Sequence, residues 1–243
     1  AGLGGGAVGL GLQGVVMLLA FGAATLVVGR LALKLTAADL RWRDAGPPAR
    51  GFIIGVGLGA AAALAAMLFS VAAGARWSPD AGTVGDYATQ VGLTLLLLAP
   101  AALAEEVVFR GVPLVALSEA TSRRTAVILT SLLFGVAHLT NPNVTALAIL
   151  NIALAGVFLA AAFYAPGGIW TAWGAHLGWN GLLAALDAPV SGLPFLIPLL
   201  DYDPDGPAWL TGGSFGPEGG MLATLALALA IAFTARWARE TRT

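Results

Sequence analysis

The chain has 243 residues, of which 58% are hydrophobic and 10% are charged, and its formal net charge is −1. Soluble domains carry about 25% charged residues, so this composition excludes an ordinary soluble domain and predicts a polytopic membrane protein. The near-neutral charge, without a basic patch, argues against a nucleic-acid partner, and the count of zero cysteines excludes disulfides, thiol nucleophiles and cysteine-ligated metals.

Apolar stretches recur along the whole chain. A spanning helix needs about 20 mostly apolar residues. The candidate spans are about 5–29, 51–75, 88–117, 125–140, 144–165, 169–187 and 219–236. The apolar segment 189–200 holds three prolines and is expected to be re-entrant or interfacial. The sequence therefore predicts an all-α polytopic membrane protein, a single domain over 1–243 with about seven or eight transmembrane helices and an intramembrane polar site.

Loop composition predicts an orientation. Basic residues collect in alternate loops and after the last span: Arg30, Lys34, Arg41, Arg43, Arg50, Arg123, Arg124, Arg236, Arg239 and Arg242. The loops between them are poor in basic residues, and one is acidic over 201–218. The positive-inside rule places the basic loops and the C-terminus in the cytoplasm. Residue 1 then faces outward, so an upstream span is expected. The Ala-, Gly- and Leu-rich, Lys-poor composition is typical of a bacterium, and the inner membrane is the expected location.

Three charged residues interrupt the third span. Charged side chains in hydrocarbon cost roughly 2.5–3.5 kcal/mol each on insertion scales and are functional candidates by default. Glu106 and Arg110 are four residues apart, so an ion pair within one helix is expected. Glu105 lies about 140° around the helix from Arg110. It is therefore expected to face the bundle interior as a candidate general base.

The two histidines of the chain both lie in apolar segments. His138 ends the run Phe134 to His138, and His176 lies four residues before Asn180, on one helix face. The depth of each residue in the bilayer can be estimated by counting from the cytoplasmic end of its helix. By this count, His138, His176 and Asn180 lie at depths that overlap with that of Glu105. A His and an Asn that converge in a dry site can stabilise an oxyanion. Each group can also be a packing contact within the bundle.

Together, these motifs resemble the CPBP family, the CAAX proteases and bacteriocin-processing enzymes. The pattern is Glu-Glu-x-x-x-Arg from Glu105 to Arg110, Phe-x-x-x-His from Phe134 to His138 and His-x-x-x-Asn from His176 to Asn180. The catalytic-motif core is expected at about 88–187.

The resemblance implies an intramembrane glutamate protease without a cofactor. Glu105 and His138 would activate a water, and His176 and Asn180 would stabilise the oxyanion. Glu106 and Arg110 would support the site. The implied partners are a peptide or membrane-protein substrate and the lipid bilayer. Substrate identity does not follow from the resemblance, nor does oligomeric state.

Other readings stay open at this point. Glu105, His138 and His176 could bind zinc or iron in a metal-dependent version of the same protease. The constellation could instead serve a non-catalytic scaffold or bacteriocin-immunity protein, or the proton relay of a transporter. The sequence around Ser214 fits Gly-x-Ser-x-Gly, but that motif needs a strand–turn–helix context that a Gly- and Pro-rich loop does not offer.

Overall fold

The chain folds as a helical bundle with one small pair of strands. The computed structural model describes residues 5–241. The helices are α1 (Gly5–Ala24), continued by a π-helix (Thr25–Ala32), α2 (Pro48–Ala72), α3 (Val84–Arg110), α4 (Val112–Ala120), α5 (Arg123–Ala137), α6 (Ala146–Tyr164), α7 (Ile169–Ala185), the single turn α8 (Ala208–Thr211) and α9 (Met221–Glu240). Strands β1 (Arg76–Pro79) and β2 (Leu200–Asp203) pair antiparallel with Arg76 opposite Asp203. The predicted all-α class is confirmed.

Five helical segments are long and apolar enough to cross a membrane. They are Leu12–Ala32, Pro48–Ala72, Val84–Ala120, Ala146–Tyr164 and Met221–Glu240. These segments correspond to five of the seven predicted spans. The other two correspond to α5 and α7, which have 15 and 17 residues. Both of these shorter helices carry motif residues, so two of the three motifs lie on helices of fewer than 18 residues.

The third predicted span, 88–117, is not one continuous helix. It breaks at Gly111 into α3 and α4. Pro113 gives the physical reason, because a proline lacks the N–H that would bond to the carbonyl four residues earlier, and its ring clashes with that carbonyl. The break comes after Arg110, so Glu105, Glu106 and Arg110 share one regular helix as the spacing argument requires.

Glycines let α2 and α7 pack with their backbones in contact. A side chain at Gly55 or Gly59 would collide with the carbonyl oxygen of Thr171 or Ala175 on α7. In return, a side chain at Gly174 on α7 would collide with the backbone of α2. The four-residue glycine spacing in α2 is therefore architectural. It fixes the position of α7, which carries His176 and Asn180, from the side opposite the polar site.

The apolar segment after α7 forms a turn instead of a helix. Val190 and Leu193 exchange backbone hydrogen bonds of 3.0 and 2.9 Å. The two residues between them, Ser191 and Gly192, have φ of 50° and 85°, as in the tight turns of β-hairpins. We call residues 189–195 the strap. Its expected re-entrant or interfacial position in the bilayer stays a prediction.

The glycine packing generates a stability prediction. Gly59→Ala should lower the free energy of unfolding by about 1–3 kcal/mol, the usual cost of overpacking. The matched control is Gly57→Ala on the same helix, because nothing lies within 4 Å of a side chain at Gly57. Thermal unfolding of both variants in detergent measures the difference. Equal midpoints would show that close α2–α7 contact is not needed.

Candidate active site

Glu106 and Arg110 form a buried ion pair in the last turn of α3. Arg110 Nη1 donates to Glu106 Oε1 at 3.0 Å, and the two side chains are 1% and 0% exposed. Arg110 Nη2 donates to the carbonyl of Gly156 on α6 at 3.2 Å. The predicted pair is present, and it ties α3 to α6.

His176 joins this pair from α7. Its Nδ1 lies 2.8 Å from Glu106 Oε1, the oxygen that also accepts from Arg110. Since an oxygen that accepts from arginine is that of a carboxylate, Nδ1 carries the proton and donates it. The other ring nitrogen, Nε2, points toward Glu105 Oε2 at 3.8 Å. Glu106 therefore sets the orientation of His176 and keeps a proton on its Nδ1.

His138 is held by the backbone at the end of α5. Its Nδ1 lies 2.7 Å from the carbonyl oxygen of Phe134. A carbonyl only accepts, so Nδ1 is the donor, and Nε2 of the neutral ring is left with a free lone pair. This Nε2 lies 4.0 Å from Glu105 Oε2. The ring therefore presents a proton acceptor to the glutamate.

Glu105 lies between the two imidazoles. Its side chain is 29% exposed, yet its Oε2 is buried and has no hydrogen-bond partner in the part of the chain that the structure describes. The distances of 3.8 and 4.0 Å to the two Nε2 atoms exceed a direct hydrogen bond. They are short enough for one small polar group to touch all three atoms.

The ring of Phe134 provides an apolar contact surface for the polar residues of the site. Its ring centre lies 4.8 Å from that of His138 and 5.9 Å from that of His176, both edge-to-face. The guanidinium carbon of Arg110 lies 4.5 Å from the same ring centre, as in a cation–π contact. The phenylalanine of the Phe-x-x-x-His motif thus packs against three of the polar residues.

Glu105, His138, His176 and Asn180 line one cavity of about 450 Å³. Asn180 lies one turn after His176 on α7, and its amide makes no hydrogen bond to another residue in the described range 5–241. The structure therefore brings all six polar residues of the three motifs together, four around the cavity and the Glu106–Arg110 pair behind them.

The same cavity contains a carboxylate that the sequence reasoning missed. In the sequence, Glu218 lies in the acidic loop 201–218, for which no role was predicted. In the structure, Glu218 is 7% exposed and lines the cavity. The other acidic residues of that loop behave as surface groups, since Asp203 and Asp205 pair with the exposed Arg76. The only signal in the sequence was position, because Glu218 lies just before the apolar run of α9.

Ser214 does not form a nucleophile site. Residues Gly213–Phe215 form a 3₁₀ turn between α8 and α9, without the strand–turn–helix context of the Gly-x-Ser-x-Gly motif.

Glu105, His138 and His176 were also candidate ligands of a metal ion. Within 5–241, no group of three His, Asp or Glu side chains is placed to hold a metal ion. The metal-dependent reading therefore has no support from the ligand geometry of these residues.

Comparison with protein families gives a match over the middle of the chain. Residues 87–182 match the family model described as "Type II CAAX prenyl endopeptidase Rce1-like". This segment is Rce1-like. It contains all three motifs, and the predicted resemblance to the CAAX proteases is confirmed over these residues. No curated protein and no solved structure matches the chain.

The Rce1-like match and the apolar helices support a broad functional class. The chain is an integral membrane protein, and the family matched by residues 87–182 is one of CAAX-type proteases. A peptide substrate and the lipid bilayer are the partners that follow from this class.

The buried ion pair generates a second stability prediction. Arg110→Met should lower the free energy of unfolding by about 3–5 kcal/mol, because it leaves the Glu106 carboxylate buried without its cation. Adding Glu106→Gln removes that charge, so the double variant should recover part of the loss. Chemical unfolding in detergent compares the two. A double variant no more stable than Arg110→Met would argue that the pair contributes by packing alone.

Proposed function

We propose that this protein is an intramembrane endopeptidase of the CAAX-protease type that hydrolyses a peptide bond with an activated water. The observation that carries the proposal is the position of Glu105 Oε2, which accepts no hydrogen bond from the residues of the described range 5–241 and lies 3.8 and 4.0 Å from the Nε2 atoms of His176 and His138. The Rce1-like match supports the reaction class.

Glu105 and His138 are suited to hold the nucleophile. A water between them donates one O–H to Glu105 Oε2 and the other to His138 Nε2, which turns an oxygen lone pair toward the substrate carbonyl. As the C–O bond forms, Glu105 accepts the proton, which is general-base catalysis. Glu105 later returns this proton to the departing amine nitrogen, so the C–N bond breaks with the charges balanced.

His176 and Asn180 are suited to stabilise the oxyanion of the tetrahedral intermediate. His176 donates Nδ1–H to Glu106, so it needs a second proton to donate from Nε2. Glu105 and Glu106 carry two negative charges, and Arg110 supplies only one positive charge beside them. A second proton on His176 balances the remaining negative charge. The Asn180 amide supplies the second donor. Donors fixed in a dry site stabilise developing charge more strongly than water does.

Glu106 and Arg110 would act through His176. Glu106 holds its ring at 2.8 Å, and Arg110 balances the charge of Glu106. Because the pair is buried and tied to α6, the His176 ring has little freedom to turn. An oxyanion donor that needs no reorientation during the reaction is the arrangement that electrostatic catalysis requires.

The first test of this proposal is cleavage of a quenched peptide library by the purified protein in detergent. Glu105→Gln should lower turnover by at least about 10²-fold, the usual contribution of a general base, while peptide binding and thermal midpoint are kept. The matched control is Glu119→Gln, an exposed carboxylate on α4, which should retain full activity.

The alternatives give different outcomes in the same assay. Turnover that persists in Glu105→Gln would contradict the proposed base. Cleavage abolished by a strong chelator would favour the metal-dependent protease. If the wild type binds peptides but cleaves none, the non-catalytic scaffold or immunity protein becomes the better reading.

The oxyanion role of Asn180 has its own test. Asn180→Leu is similar in volume but cannot donate a hydrogen bond, so kcat should fall by about 10²–10³. KM should change little, because the lost bond strengthens only in the transition state. Steady-state kinetics on one cleaved peptide separate the two parameters. A change confined to KM would place Asn180 in substrate binding instead.

A further inference from the structure

Glu218 lies outside the three motifs, yet its carboxyl group binds two separate parts of the site. Trp179 Nε1 on α7 donates to its Oε1 at 2.9 Å. The backbone N–H of Ser191 in the strap donates to its Oε2, and the Ser191 hydroxyl lies 3.2 Å from the same oxygen. Trp179 lies between His176 and Asn180 in the sequence of α7. Glu218 therefore joins the strap to the helix that carries the proposed oxyanion donors.

The strap is joined in turn to the residues that follow His138. Asn141 Nδ2 donates to the carbonyl oxygen of Ser191 at 3.0 Å. The backbone N–H of Asn141 donates to the carbonyl oxygen of His138 at 3.1 Å. A side chain at Gly192 would collide with the carbonyl oxygen of Pro142, so the strap and this turn lie in direct contact. A series of hydrogen bonds therefore runs from α7 through the strap to His138.

This series connects two helices that have little direct packing between them. α5 packs mainly against α4 and α6, whereas α7 packs mainly against α2 and α3. The ring of Phe134 on α5 does contact His176, but that contact is apolar and edge-to-face. His138 is the C-cap of α5, so its position depends on the turn that follows as well as on the helix.

The backbone at Glu218 is also fixed. The amide of Asn151 on α6 donates to the carbonyl oxygens of Glu218 and Gly220, each at 2.8 Å. The side-chain oxygen of Asn151 accepts from the hydroxyl of Thr224 on α9 at 2.6 Å. Glu218 is thus attached to α6 and α9 through its backbone and to α7 and the strap through its carboxyl group.

The series of hydrogen bonds does not require one charge state of Glu218. Burial raises the pKa of the Glu218 carboxyl, and the hydrogen bonds from Ser191 and Trp179 and the charge of His138 oppose that rise. A carboxyl group accepts hydrogen bonds both when it is ionised and when it is protonated. The bonds from the indole and from the strap can therefore persist in either form.

From these contacts we propose that Glu218 is a positioning residue of the peptidase reaction. It holds His138 and Asn180 at a fixed separation through Trp179 and the strap. A displacement of about 1 Å in a catalytic group can cost about 10²-fold in rate, so a loosened series lowers kcat. Substrate binding is spread over the largely apolar cavity lining and changes little. This inference rests on the proposed peptidase function.

Steady-state kinetics test the two bonds of the carboxyl group. Glu218→Gln keeps the shape but turns one acceptor into an NH₂ donor, which must face the N–H of Trp179 or of Ser191. kcat should fall at least about tenfold while KM stays within about threefold. Trp179→Phe removes only the bond to α7 and should act alike. The matched control is Trp170→Phe, which loses an indole bond to the Trp42 carbonyl on the same helix and should keep kcat.

A series of links also predicts that the effects of two breaks do not multiply. Asn141→Ala breaks the link between the strap and the turn after His138, and alone it should lower kcat by about tenfold. Added to Trp179→Phe, it should lower kcat by less than about a further threefold, because the series is already open. Effects that multiply would show that the residues act independently and would overturn the proposal.

Hydrogen exchange tests the connection without requiring turnover. The Glu218 carboxyl makes no hydrogen bond to the described residues 138–142. Glu218→Gln should nevertheless speed amide exchange there by about tenfold, and leave 169–173 at the start of α7 unchanged. Unchanged exchange at 138–142 in the folded variant would overturn the role of Glu218.

The two proposals can fail separately. If the wild type cleaves no peptide but the exchange response is present, the peptidase function is contradicted and the positioning by Glu218 is not. If the wild type cleaves and Glu218→Gln keeps its kcat, the positioning role is overturned alone. If Glu218→Gln does not fold, the kinetics of Trp179→Phe and Asn141→Ala decide the inference.

Discussion

The site depends on one shared carboxylate oxygen. Glu106 Oε1 accepts from Arg110 at 3.0 Å and from His176 at 2.8 Å, in a position with no access to solvent. A buried carboxylate without partners is strongly destabilising, so the fold must bring α3 and α7 together at this point. Once they meet, His176 Nε2 faces Glu105, and the remaining groups of the site take their positions around that contact.

The helices around this contact are arranged for close approach. Glycines on α2 and α7 remove the side chains that would separate the two backbones. α5 ends at Ala137, with His138 as its C-cap, so the imidazole lies at a helix end where its ring can reach both the Phe134 carbonyl and the cavity. The break at Gly111 lies beyond Arg110 and leaves the geometry of the two glutamates intact. Short, closely packed helices thus build a polar cavity inside an apolar bundle.

Much of this arrangement could be predicted from the spacing of the polar residues in the sequence. The four-residue separations of Glu106 from Arg110 and of His176 from Asn180 are properties of any helix, so the ion pair and the shared face could be predicted. The bond between His176 and Glu106 was not predicted, because it joins residues 70 positions apart. Glu218 was missed for the same reason, since its burial depends on Trp179, Ser191 and Asn151 from three other parts of the chain. Pro113 could have indicated the break in the third span. The continuous apolar composition of 88–117 instead favoured the prediction of a single helix.

The most direct test of the central claim is an experimental structure of Glu105→Gln with an uncleaved apolar peptide bound. The proposed arrangement predicts a peptide carbonyl oxygen within about 3.2 Å of His176 Nε2 and of the Asn180 amide. The carbonyl carbon should face the space between residue 105 and His138. A peptide bound outside the cavity, or one whose carbonyl points away from His176 and Asn180, would contradict the assignment of these residues as the catalytic centre.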